Sequence, residues 1–287
     1  MNRAFLLLGL MALAGCTTNA NPHYELGRPY QVRGVWFYPG ENETFDETGL
    51  ASVYGTGHAA LTANGEAFDQ SAVMAGHPTL PLPAIARLTN LENGRSILVR
   101  INDRGTGNPS GLVDVTRRTA TLLAMRDGTA TKVRLQVLAA ESRAAADALP
   151  GRPQLAMTAA PRGTVTATDL APPPGAGAAL NLARPAAAAA ASGETPVAIA
   201  RLPETVTQNA ANPGRLWVRL DTFEEYRYAV VQRTRMGYPG ATIERSFDGR
   251  VHRFWVRIGP LETLRQADDT LTDALAKGIP DARIVVE

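Results

Sequence analysis

Leu88-Thr89-Asn90-Leu91-Glu92-Asn93-Gly94-Arg95-Ser96-Ile97-Leu98-Val99-Arg100-Ile101-Asn102-Asp103-Arg104-Gly105 carries the reading of the fold. Asn93-Gly94 is a tight hairpin signal, because Asn and Gly tolerate the positive φ that such turns need. After it, Ile97, Val99 and Ile101 alternate with Leu98 and Arg100, the period of a half-buried strand. Val133, Leu135 and Val137 alternate with Lys132, Arg134 and Gln136 in the same way. From Tyr24 to Leu138 the strand signals are short and punctuated by Gly, Asn and Pro. One helix is expected, over Thr116 to Met125. Many short strands with one short helix predict a small β-barrel.

Upstream of the hairpin stands Thr62-Ala63-Asn64-Gly65-Glu66, followed by His77. Glu66, His77 and Asp103 are titratable groups of the kind that acid/base catalysis needs. Each alone has a bland reading. Asn64-Gly65 is a common turn, an Asp-Arg-Gly turn often ends a strand, and a lone His is usually structural. His23, His58, His77 and His252 lack metal-ligand spacing, so neither a metal nor another cofactor is expected. Gly55-x-Gly57 lacks the third Gly of a dinucleotide loop.

Gly49 to Leu138 resembles the double-psi β-barrel of the rare lipoprotein A family. The matching stretches are Gly49-Leu50-Ala51-Ser52-Val53-Tyr54-Gly55, Thr62 to Asp69, His77, Leu80-Pro81, Thr89 to Arg95 and Val99 to Gly105. The resemblance implies six strands and a lytic transglycosylase, a lyase acting on peptidoglycan. It makes Asp103 the general acid/base. Glu66 would stabilise charge at the anomeric carbon or tune Asp103 by repulsion, and His77 would line the same cleft. Tyr54, Thr62, Asn64 and Arg104 would bind substrate. Val53 stands where the family usually has Trp, which removes a stacking surface. The rival expectation is a septal peptidoglycan-binding lipoprotein that does not cut.

Residues 1–16 read as a lipoprotein signal. Ala4 to Ala14 is apolar, too short to span a bilayer, and ends in Leu13-Ala14-Gly15-Cys16. Cys16 is the chain's single Cys and would take the lipid. Residues 17–23 would be a tether. The expected location is the outer membrane, facing the periplasm, with enrichment at the septum. Lys and Arg total 29 against 27 acids, a net charge of +2. That balance gives no field directed at nucleic acid.

From 139 to 212 the chain is rich in Ala, Pro, Thr and Gly and poor in aromatics, which predicts a disordered linker. Residues 213–287 repeat a strand–helix–strand pattern twice. Thr222 with Glu225 and Thr263 with Gln266 have capping-box spacing, and Gly237 and Gly278 sit at helix ends. The order βαββαβ predicts an antiparallel sheet with helices on one face. Arg215, Trp217 and Arg219 would share the other face with Arg253, Trp255 and Arg257. They would stack on sugars there, or the Arg stems would cover the Trp rings. This half resembles the sporulation-related repeat (SPOR) domain. With Thr222 added to its site, it would bind glycan strands that lack stem peptides, and divisome contacts are a further expectation.

Overall fold

A computed structural model describes residues 20–152, 201–247 and 249–287. The signal, Cys16 and most of the expected linker lie outside these residues.

A short antiparallel hairpin, β1 (Tyr30–Val32) and β2 (Val35–Phe37), precedes the barrel. The barrel strands are β3 (Asp46–Val53), β4 (Met74–Gly76), β5 (Ala84–Asn90), β6 (Arg95–Asp103), β7 (Val113–Val115) and β8 (Thr131–Val137). Their order β4-β7-β3-β8-β5-β6 closes by pairing β4 with β6. The expected six-stranded mixed barrel is therefore formed. Ala51, Leu88, Val99, Ile101, Val115 and Leu135 fill it. Gly94 adopts the positive φ, +78°, that the hairpin turn requires. Helix α1 (Arg117–Leu122) is shorter than expected and begins where the Thr116 side chain accepts from the Thr119 amide.

The expected linker is wrong at both ends. Helix α2 (Ala139–Asp147) packs on β5, where Ser142 Oγ accepts from the Ile85 amide and donates to its carbonyl. Small Ala side chains allow that close approach. Strand β9 (Thr207–Gln208) pairs with β6 at Ser96 and Arg95. This edge pairing is made by backbone, so it needs no apolar side chain.

The C-terminal sheet has the order β11-β12-β10-β13. Its strands are β10 (Leu216–Phe223), β11 (Ala241–Phe247), β12 (His252–Leu261) and β13 (Arg283–Val286). Helices α3 (Tyr226–Met236) and α4 (Leu264–Ala276) cover one face. Thr263 and Gln266 form the expected capping box. Thr222 does not cap α3: it lies in β10 opposite Trp255, and Glu225 is the N-cap without a side-chain bond. Strand β10 runs on to Phe223 and absorbs the position.

Strand alternation also joins the barrel to this sheet. In β3, Ala51 enters the barrel core while Leu50 enters the core of the C-terminal sheet. Glu47 pairs with Arg219 at 2.6 Å and Arg283 at 3.1 Å, and the Thr48 hydroxyl accepts from the Val286 amide.

Candidate active site

Asp103 ends β6 and is 7% exposed. Its Oδ1 accepts from the Ala63 amide at 2.9 Å. Its Oδ2 accepts from the Tyr54 hydroxyl at 2.8 Å and the Gly105 amide at 3.3 Å, and meets His58 Nε2 at 3.1 Å. His58 Nδ1 lies 3.0 Å from the Ala59 carbonyl. Phe68 stacks on His58 at 3.8 Å and meets Tyr54 edge-on, which fixes both rings. Burial raises the Tyr54 hydroxyl far above its ordinary range, and the Asp103 charge adds to this. Tyr54 is therefore a donor, held in its protonated form.

Glu66 does not touch this carboxylate. It is buried and paired with Arg100, whose Nη2 donates at 2.7 Å and Nε at 3.0 Å. Asn64 and Asn102 donate to it at 2.7 and 2.8 Å. Burial pushes the Glu66 carboxyl up, but the Arg100 bonds and charge and the two amides outweigh that and hold it below the usual range. Its geometric effect is to fix the 62–66 turn, in which Thr62 donates to Asn64 Oδ1. That turn presents the Ala63 amide to Asp103.

His77 is also elsewhere. Its backbone amide donates to the Asp103 carbonyl, but its ring is buried against Phe45. Nδ1 accepts from the Thr79 and Leu80 amides, both at 3.2 Å. Burial, then the charges of Arg104 and Arg283, push it down to about 3, so the ring is neutral. Arg104 points away from Asp103 and donates to the carbonyls of Leu80 and Leu26.

The sequence reading passed over two residues. His58 occupies the place expected of His77 beside the carboxylate. Asp114 is 7% exposed, accepts from Thr106 N at 2.6 Å and Thr106 Oγ1 at 2.9 Å, and leaves Oδ1 without a hydrogen bond among the described residues. Burial is the main effect that raises it, opposed by the Thr106 bonds and reinforced by Asp103. Gly76 is the register partner of both Asp103 and Asp114. A Cβ on Gly76 would lie 1.9 Å from the Tyr54 hydroxyl. Glycine here makes the space in which Tyr54 reaches the acid.

The expected Arg/Trp face is partly covered. Trp217 is 8% exposed and lies under Arg257, 4.1 Å from the ring centroid. Arg257 also pairs with Glu244 and Glu287. Arg219 lies 5.7 Å from the Trp255 centroid while paired with Glu47. Arg253 precedes Trp255 in the exposed part of β12. The stems of Arg257 and Arg219 lie over the two rings and acids of the barrel and neighbouring strands pair with those two heads, while Arg215 and Arg253 are exposed.

Residues 46–135 match the family model described as lytic transglycolase. The chain is similar to the endolytic peptidoglycan transglycosylase RlpA of Rickettsia bellii (strain RML369-C), at 37% identity over 124 residues, 42% of this chain and 55% of that protein. RlpA of Yersinia pestis is 40% identical over 121 residues, 40% of this chain and 34% of that protein. RlpA of Pseudomonas aeruginosa (strain UCBPP-PA14) is 39% identical over 110 residues, 38% and 32% respectively. The matches span about half or less of each relative. The similarity to lytic transglycolases thus lies in the barrel, residues 46–135.

Proposed function

We propose that the protein is an endolytic lytic transglycosylase that cuts peptidoglycan between N-acetylmuramic acid and N-acetylglucosamine. Asp103 protonates the glycosidic oxygen as the bond to C1 breaks. The same carboxylate then takes the proton of the muramic 6-hydroxyl, whose oxygen closes on C1. The product is a 1,6-anhydro end, the proton count balances, and no water is consumed. Tyr54, His58 and the Ala63 and Gly105 amides hold the carboxylate through both halves of the reaction. That convergence on Asp103 is the observation that carries the reading. Glu66 acts through the turn it fixes.

The preferred substrate is strand stripped of stem peptides, and the place of action is the septum. The anchor is a lipid on Cys16 in the outer membrane, facing the periplasm. These follow from the signal at residues 1–16 and from the SPOR-like repeat.

The test is digestion of denuded sacculi, with the soluble products analysed for 1,6-anhydromuramic ends. Wild type should release them and Asp103→Asn should not. Sacculus binding without such ends would favour the non-cutting reading.

A further inference from the structure

A groove of about 610 Å³ lies between the barrel and the C-terminal sheet. Small-molecule clefts span about 300–1,000 Å³. None of the groups that bond the Asp103 carboxylate lines it. His77, whose backbone amide donates to the Asp103 carbonyl, is part of the lining.

One wall is aromatic. Trp36 and Tyr38 are 49% and 63% exposed, and their rings stack with centroids 6.4 Å apart. Alternation along β2 explains the exposure. Phe37 turns the other way to stack on Tyr30, whose hydroxyl donates to the Pro78 carbonyl. Val35, Trp36, Phe37 and Tyr38 all line the groove, and Trp36 and Tyr38 are the exposed pair of rings among them. Rigid, exposed rings are costly in water and well suited to a ligand with an apolar face.

The opposite wall is polar. Asp221, Thr222 and Asp281 line it. Asp221 is bonded on one oxygen by Gln232 Nε2. Burial raises the Asp221 carboxyl, and the charge of Asp281 adds to this. Two carboxyls on one wall disfavour an anion, so the uncharged N-acetylglucosamine units of a strand fit this wall and the muramic acids, each with a carboxylate, do not. Among the described residues, the one Arg or Lys in the lining is Arg283, and it is held by Glu47. Stacking rings facing hydroxyl-bonding acids match a sugar, which has an apolar C–H face and an equatorial rim of hydroxyls.

We propose that this groove is a second glycan-binding site, which stacks sugar rings on Trp36 and Tyr38 and bonds their hydroxyls and acetamido groups through Asp221, Thr222 and Asp281. This rests on the peptidoglycan reading above for the identity of the strand. A strand held here stays with the protein after Asp103 has cut it.

The experiment uses the full chain and two probes, the hexamer of N-acetylglucosamine in calorimetry and denuded sacculi in a pelleting assay. The Trp36→Ala/Tyr38→Ala variant should bind the hexamer at least tenfold more weakly and pellet less. Both side chains are exposed, so its melting temperature should stay near that of wild type. Asp221→Asn should weaken binding severalfold, and Asp103→Asn should leave it unchanged. Wild-type affinity in the double variant would overturn the groove. If anhydro ends still vanished in Asp103→Asn, the catalytic reading would survive that failure. Conversely, no anhydro ends from wild type, with binding lost in the double variant, would remove the catalytic reading and keep the groove.

Discussion

The Tyr54 hydroxyl donates to Asp103 Oδ2 at 2.8 Å from the space that Gly76 leaves empty. A hydrogen bond to a charged group contributes about 1.5–3 kcal/mol, which corresponds to about 10- to 100-fold in rate if it is made in the transition state. Tyr54→Phe should therefore slow release of anhydro ends by about tenfold or more. Gly76→Ala should act in the same direction, because its added Cβ would meet the Tyr54 hydroxyl and the Gly105 amide, two of the donors to Asp103. Rates of release from denuded sacculi for both variants, beside thermal melts, check this. A Tyr54→Phe enzyme as fast as wild type would remove the hydroxyl from the chemistry.

The Glu66–Arg100 pair makes a separate prediction. Breaking a buried, hydrogen-bonded ion pair costs about 3–5 kcal/mol. Each 1 kcal/mol moves the melting temperature by about 2–4 °C at this domain size. Arg100→Met should thus lower it by roughly 10 °C. The Glu66 carboxyl lies below its ordinary value in the folded state. Its stabilisation is present above an unfolded value near 4.5 and is lost as pH falls through the folded one. The difference in stability between wild type and Arg100→Met should narrow on acidification below about pH 4.5. A constant gap in urea denaturation down to pH 3 would count against the pair.

Much of the barrel was legible because period-2 alternation and the Asn93-Gly94 turn are local signals. Asp103 was legible because its motif is contiguous. The partners of Asp103 were not. His58 is brought to it by the loop after β3, forty-five residues away in sequence, and His77 had the spacing but not the direction. A ring enclosed by Phe45 and two backbone amides does not differ in sequence from a catalytic one. The partly covered Arg/Trp face depends on Glu47, Glu244 and Glu287, acids far from those rings in the chain. The composition of 139–152 hid a helix because Ala-rich sequence suits both a linker and close packing on a strand.

Asp114 should be a source of instability at neutral pH. Its folded value is raised above the ordinary 3.8, so the folded state binds the proton more tightly and stability falls as pH rises through that interval. Asn at this position keeps an oxygen to accept from Thr106 and cannot ionise. Asp114→Asn should melt higher than wild type at pH 7, with the gain shrinking toward pH 3.8. A lower melting temperature at pH 7 would show that the charge itself is needed to hold the Gly105–Thr106 turn.

His77 gives the opposite sign. Its folded value is about 3, against about 6.5 in an unfolded chain. Below pH 6.5 the unfolded state binds the proton and the folded state does not. Stability therefore falls as pH drops from 6.5 toward 3, by about 1.4 kcal/mol per unit. Between pH 7.5 and pH 5 the loss from this residue is about 2 kcal/mol. In His77→Asn the amide oxygen can replace Nδ1 as acceptor for the Thr79 and Leu80 amides, and no group titrates. The variant should be less stable than wild type at pH 7.5, because the packing against Phe45 is lost, yet should lose less of its own stability on going to pH 5. Urea unfolding at the two pH values measures both terms. Equal pH losses in the two proteins would mean that the ring accepts a proton in the fold. Such a ring would again be a candidate for the acid/base role beside Asp103.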